Sequence, residues 1–317
     1  MIELWGLFLL GLVFLMLGGD SVIKGASGLA QHLKLSPFVT GLVLVAIATS
    51  VPELAVNARA AFVGAQSLAL GNAVGSNLVN FGLTLGLAAI AAPLVVRWRV
   101  LSPMLVSFVV LGIAVVGMSL DGVLSRLDGV LLLVAFVAVL AFAVLRSRVA
   151  QEEVRTVLEE YATTRGGLGL NAVRFIIAAV VLFYGAKWIV QSAPGIGASL
   201  GMGPLLTGLV PVALGTALPE IAAAVLAARR GQGEMVVGHV IGSSLVNLTL
   251  VVGGMAAFRP LPVPASFVHL ELPAAIALAI VLYPMLRGDL RITRREGGIL
   301  VAAYVAWLVL VLATGAR

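Results

Sequence analysis

The chain has 317 residues, of which 61% are hydrophobic, 11% charged and none cysteine, and its mean hydropathy is +1.14. A soluble domain is typically about 25% charged, so this composition excludes a soluble globular protein, a disordered chain, and all disulfide, thiolate-metal and cysteine-nucleophile chemistry. The formal charge of +6 then reports membrane topology rather than nucleic-acid binding.

Crossing a bilayer as a helix takes about 20 apolar residues. Such runs lie near 4–30, 36–62, 68–92, 101–119, 124–146, 167–194, 204–228, 235–257, 268–286 and 296–314. The opening residues, Met1 to Trp5, carry neither a basic stretch nor a small-residue cleavage site, so the first run reads as a retained helix rather than a signal peptide. A single hydrophilic stretch, 147–166, contains Glu152, Glu153, Arg155, Glu159, Glu160 and Arg165. The expected fold is an all-α membrane protein of ten transmembrane helices, with residues 1–146 and 167–317 as its two halves.

Basic residues fix the expected orientation. Of the 20 Lys and Arg, thirteen follow odd-numbered spans, among them Lys34, Arg97, Arg146, Arg229, Arg287 and Arg294, against three on the opposite side, Arg126, Arg259 and Arg317. Cytoplasmic loops collect such residues. The expected arrangement is a plasma (cytoplasmic) membrane protein with both termini outside and loop 147–166 in the cytoplasm.

The chain also repeats itself. Residues 41–90 align with 208–257 at a constant offset of 167, so that GLVLVAIATSVPELA matches GLVPVALGTALPEIA and GNAVGSNLVN matches GHVIGSSLVN. Five spans per copy is an odd number, so the second copy enters the bilayer in the opposite sense. That is the plan of secondary transporters, which bind their substrates near mid-membrane between the repeats.

Each copy carries a carboxylate in mid-span, Glu53 and Glu220. A charge at the bilayer centre costs about 2.5–3.5 kcal/mol even on the lenient insertion scale, so two in matching places need a cation or proton. Thr49 and Ser50 precede Glu53 by four and three residues, on its own helical face. Pro52 and Pro219 each remove a helix hydrogen bond. They are expected to loosen the backbone at Ala48–Thr49 and Gly215–Thr216, exposing carbonyl oxygens beside the carboxylates. Carboxylates, carbonyls and hydroxyls are the ligands of hard cations such as Ca²⁺ and Na⁺. The next helix adds Asn72, Ser76 and Asn80 in one copy and His239, Ser243 and Asn247 in the other, all spaced by four. Gly71 and Gly75, like Gly238 and Gly242, form small faces for close helix approach. Asn77 and Ser244 fall off this stripe. His239, where the first copy has Asn72, reads as a packing or interfacial histidine ahead of a proton-coupling one. Asp20 and Lys24, four apart, are expected to pair.

At these motifs the sequence resembles the cation/Ca²⁺ exchanger superfamily, the sodium/calcium exchangers and their prokaryotic relatives. TSVPE and TALPE are similar to its two signature motifs, GNAVGSNLVN and GHVIGSSLVN to the segments that follow them, and GGDSVIKGA at 18–26 to its first-helix pattern. The resemblance implies a Ca²⁺ site of Glu53, Glu220 and the carbonyls of Thr49 and Thr216. It implies flanking Na⁺ sites from Ser50, Ser76, Ser243 and the carbonyls of Ala46 and Ala213, with Asn80 and Asn247 completing the middle. It further implies that the first helix of each repeat slides across a four-helix core to alternate access.

The implied function is a secondary active antiporter exchanging Ca²⁺ for Na⁺, not an enzyme. No cofactor, nucleic acid or protein partner is expected beyond the transported ions and the lipid bilayer. Ala217 stands where the first copy has Ser50, and with His239 it keeps a Ca²⁺/H⁺ antiporter as the alternative; another divalent cation is a further one, since oxygen ligands alone do not fix size selectivity. An intramembrane hydrolase is remote, since His32, His239 and His269 form no H-E-x-x-H pair.

Overall fold

The computed structural model describes residues 1–32, 50–96, 98–147, 167–288 and 290–315. Ala46, Thr49, the predicted loosening at Ala48–Thr49 and loop 148–166 lie outside the described residues, as does the side chain of Lys24.

Helix α1 (Ile2–His32) is followed by α2 (Val51–Phe62) and by α3 (Gln66–Leu78), which passes through a π-helical stretch π1 (Val79–Thr84) into α4 (Leu85–Ala91). A two-residue strand β1 (Leu94–Val95) leads to α5 (Trp98–Met118), and β2 (Val123–Leu124) leads to α6 (Arg126–Ser147). The second half runs α7 (Leu168–Ser199), α8 (Pro204–Thr207), π2 (Gly208–Val212), α9 (Ala213–Arg229), α10 (Gly233–Val246), π3 (Asn247–Val251), α11 (Val252–Phe258), β3 (Leu261–Pro262), π4 (Phe267–Glu271), α12 (Leu272–Gly288), β4 (Arg291–Ile292) and α13 (Arg294–Gly315). Among the described residues, eight helical stretches are long and apolar enough to cross a membrane.

The elements recur at the offset seen in the sequence, including details that no apolar pattern encodes. Gly64 and Gly231 both take positive φ (82° and 77°) to end α2 and α9, the left-handed C-terminal cap that glycine favours. The backbone N–H groups of Ala65 and Gln232 close these caps onto Ala60 and Ala227. Ser125 and Asp128 hydrogen-bond reciprocally at the start of α6, and Thr293 and Glu296 do the same at α13. Both are capping boxes. Ser125→Ala or Thr293→Ala is expected to lower stability by about 1 kcal/mol, read as a fall in Tm of the detergent-solubilised protein.

The short strands depart from an all-helical expectation. β1 pairs antiparallel with β4 and β2 pairs antiparallel with β3. Each ribbon therefore joins one half of the chain to the other, and the second repeats the first with the halves exchanged. The helix contacts show the same exchange. A methyl on Gly86 of α4 would strike Val301 of α13, and one on Gly253 of α11 would strike Leu132 of α6. Helices α1 and α7 pack antiparallel, with Gly18 against Leu182 and Gly185 against Leu15.

The central seam is tighter still. Gly71 of α3 lies against the Leu205 carbonyl, Gly75 against that of Leu209, and Gly208 of π2 against that of Leu68. The first two contacts advance in step, four residues on each side, so α3 and the α8–π2–α9 helix run side by side in the same direction. Gly238 and Gly242 make no comparable approach among the described residues. The Ser50 hydroxyl, Glu53, Asn72, Asn77, Asn80, Thr216, Ser243 and Asn247 are all buried at the centre.

Candidate cation site

Four helices build the site: α2 brings Ser50 and Glu53, α9 brings Thr216 and Glu220, and α3 and α10 bring their polar stripes. Ser50 stands immediately before α2, whose first turn contains Pro52 and Glu53. Proline tolerates that position because its missing N–H would be unpaired there anyway. Pro219 sits differently. Helix α9 continues through it, and the expected break at Gly215–Thr216 is absent; the irregular turn lies upstream, in π2 with Pro211. Contact between Gly208 and the Leu68 backbone offers a physical reason, since the helix yields where another backbone presses on it. The Thr216 hydroxyl donates to the Ala213 carbonyl at 3.3 Å, which occupies one of that oxygen's two lone pairs.

Glu53 is 1% exposed and Glu220 is 9% exposed. The Thr216 hydroxyl and the Glu220 carboxylate lie within electrostatic reach of Glu53. The structure thus brings the two predicted acids into one neighbourhood. The arginine of α2, Arg59, is turned away from them, its guanidinium 5.8 Å from the centre of the Phe183 ring on α7.

Ser50 and Ser243 share a hydrogen bond of 2.9 Å between their hydroxyls, and the Asn80 amide donates to Ser243 at 3.5 Å. The exchanged counterpart of the serine pair is Ala217 with Ser76. Ala217 has no hydroxyl, and the buried Ser76 Oγ has no partner among the described residues. Both carboxylate oxygens of Glu53, Oε1 of Glu220, Oδ1 of Asn80 and both amide atoms of Asn247 are likewise buried and unpartnered among the described residues. Folded proteins leave few such groups unsatisfied. Concentrated here, they form a donor set of carboxylate, amide and hydroxyl oxygens suited to a cation. No cluster of three His, Cys, Asp or Glu side chains is close enough to hold a metal ion among the described residues, so neutral oxygens must complete any coordination sphere.

Asn80 lies within π1 and Asn247 opens π3. π-turns within α-helices are frequent at functional sites, and here each adds a residue to the turn that carries the central amide.

Three features went unseen in the sequence. Asn57 accepts a 3.0 Å hydrogen bond from the Asn72 amide, so Asn72 is held by a neighbour on α2. His239 lies with Nε2 3.8 Å from Glu220 Oε1, a neighbour its sequence position did not announce. Its repeat mate Asn72 has Asn57 to bind, whereas position 224 is alanine. Finally, Asn77 and Ser244, set aside as off the stripe, are wholly buried with side-chain atoms unpartnered among the described residues. Their spacing from the stripe gave no signal, because both helices are buried on every side at this depth, over 68–82 and 240–249.

Apolar spanning helices around a buried, doubly acidic polar centre define an integral membrane transporter of small cations. Comparison with known proteins fixes its family. The family model described as "Sodium/calcium exchanger protein" matches residues 3–145 and 170–313, and the chain belongs to that family. It is 33% identical over 301 residues to the uncharacterised membrane protein MJ0091 of Methanocaldococcus jannaschii, covering 95% of each chain. It is 31% identical to the sodium/calcium exchanger MaX1 of Methanosarcina acetivorans, covering 96% of this chain and 97% of that one. Its structure is similar to the sodium-calcium exchanger NCX_Mj soaked with 10 mM Na⁺ and 10 mM Sr²⁺, with a TM-score of 0.67, 30% identity, and coverage of 98% and 99% of the two chains. The protein is a membrane antiporter of this family and not an enzyme.

Proposed function

We propose that this protein exchanges Ca²⁺ for Na⁺ across the plasma membrane by alternating access. Its ten spans form two inverted five-helix repeats, residues 1–146 and 167–317, joined by a cytoplasmic linker at 147–166, with both termini outside. The parallel course of α3 and α9 supports the inversion. α9 turns through Arg230, Gly231 and Gln232 into α10, which therefore runs against α3, its counterpart in the other repeat.

The observation that carries this reading is Glu53: a 1% exposed carboxylate with both oxygens unpartnered among the described residues, within reach of its repeat counterpart Glu220. Two such charges are neutralised by one Ca²⁺ or by two or more Na⁺, and the ions compete for the same oxygens. A loaded site lowers the cost of moving through the bilayer, whereas an empty doubly charged site resists it. Glu53, Glu220 and the carbonyls of Thr49 and Thr216 hold Ca²⁺. Ser50, Ser76, Ser243 and the carbonyls of Ala46 and Ala213 serve Na⁺, and Asn80 and Asn247 stand between. The antiparallel α1–α7 pair slides to expose the site alternately to each side. Sodium/calcium exchanger is the name of the relative MaX1, and NCX_Mj was soaked with Na⁺ together with Ca²⁺ or Sr²⁺, which supports these ions as substrates.

The missing hydroxyl at Ala217, with Ser76 unpaired among the described residues, favours a second reading in which H⁺ replaces Na⁺. Ca²⁺ flux into proteoliposomes separates the two: a Na⁺ gradient at fixed pH drives it under the first reading, and a pH gradient without Na⁺ under the second. Under the first reading, Ala217→Ser supplies the hydroxyl that Ser76 lacks. It is then expected to lower the Na⁺ concentration for half-maximal exchange several-fold, and an unchanged Na⁺ dependence would remove Ser76 from the Na⁺ site.

A further inference from the structure

The two halves of the site are not chemically equal, and the inequality has a direction. In the first repeat Asn72 is tied to Asn57 at 3.0 Å, and an amide rather than an imidazole stands at the position matching His239. In the second repeat Ala224 and His239 occupy the corresponding positions. His239 is 13% exposed, and its Nε2 lies 3.8 Å from Glu220 Oε1. Bonds of about 2.0–2.2 Å to imidazole nitrogen and carboxylate oxygen span that gap at a bent angle, with one metal ion touching both. Four residues along their own helices, Thr216 and Ser243 add neutral hydroxyl oxygens.

We propose that His239, as neutral imidazole, is a ligand to the transported dication at the Glu220 side, and that the chain therefore carries first-row transition-metal dications in addition to Ca²⁺. This rests on the reading of Glu220 as a cation ligand. Imidazole is a poor ligand for Ca²⁺, which takes oxygen donors, and suits Fe, Ni, Cu and Zn best among first-row ions, with Mn²⁺ the weakest binder of the series and so the most demanding probe. The replacement of an amide by an imidazole beside one carboxylate therefore moves selectivity toward those metals. The helices need not move apart, since histidine already stands in the position.

The test uses the purified full-length protein and Mn²⁺ as probe. Pulsed EPR of the Mn²⁺-loaded wild type is expected to show hyperfine coupling to an imidazole nitrogen, absent in His239→Asn. In proteoliposomes the ratio of Mn²⁺ to Ca²⁺ flux is expected to fall about tenfold or more in His239→Asn, the scale of losing a metal-supporting group. The wild-type spectrum decides independently of whether the variant folds. Mn²⁺ bound without nitrogen coupling, or Ca²⁺ carried by a protein that does not bind Mn²⁺, overturns this inference and leaves the exchanger reading intact. Failure to carry either ion, with Glu220→Gln binding Mn²⁺ like wild type, overturns both.

Discussion

Glu53→Gln and Glu220→Gln are each expected to reduce Ca²⁺ exchange in proteoliposomes to background while leaving the protein folded. Glutamine preserves the shape and one carbonyl oxygen but removes the charge. A dication facing a single carboxylate keeps a net charge at mid-membrane, where a charge costs about 2.5–3.5 kcal/mol even by the lenient measure. Among the described residues, the other side-chain oxygens at the centre are neutral hydroxyls and amides, so none restores the missing negative charge. Retained Ca²⁺ uptake in either variant would remove that residue from the ion path. Binding of Ca²⁺ to the detergent-solubilised variants, measured alongside, distinguishes loss of the site from loss of the conformational cycle.

The second large effect concerns the seam between the repeats. Gly208→Ala is expected to prevent stable folding. The added methyl would overlap the Leu68 carbonyl and lie 2.8 Å from the Asn72 backbone nitrogen. Both are main-chain atoms and cannot swing aside as a side chain can. Overpacking of a core typically costs about 1–3 kcal/mol, and here relief requires parting the two helices that carry Asn72, Ser76 and Thr216. The expected result is loss of the monodisperse peak in size-exclusion chromatography and a large fall in Tm. Gly254→Ala is the control: nothing lies within 4 Å of its added methyl, and alanine is the better helix former by about 1 kcal/mol. Equal Tm values for the two variants would refute the tight seam.

Much of this architecture is legible in the residues, and the reasons for the rest are physical. Apolar runs announce helices because the bilayer leaves the backbone few other ways to pair its polar groups. The repeat announces matched acids because Thr-x-x-Pro-Glu recurs with its context. The prolines misled at Pro219, since a helix that lacks one N–H can continue when its neighbours hold it, as α9 does. The π-turns at Val79–Thr84 and Asn247–Val251 leave no mark in a pattern of polar spacing, and neither does the enclosure of their helices on every side, which buries Asn77 and Ser244 off the stripe. The His239–Glu220 approach depends on Ala224, fifteen residues upstream on another helix. The capping boxes at Ser125–Asp128 and Thr293–Glu296 were readable from the start, for both follow the signature of a hydroxyl three residues before an acid.

The ribbons β1–β4 and β2–β3 tie the end of each central helix to the hairpin of the opposite half. A polypeptide severed within 148–166 would yield two fragments, each holding only one edge of both ribbons and one side of the Gly86–Val301 and Gly253–Leu132 contacts. Neither piece could seal its own interior. Produced together, they should find one another and reconstitute a protease-resistant particle; produced singly, each should be degraded. On that outcome the molecule is two interlocking halves on a shared peptide tether.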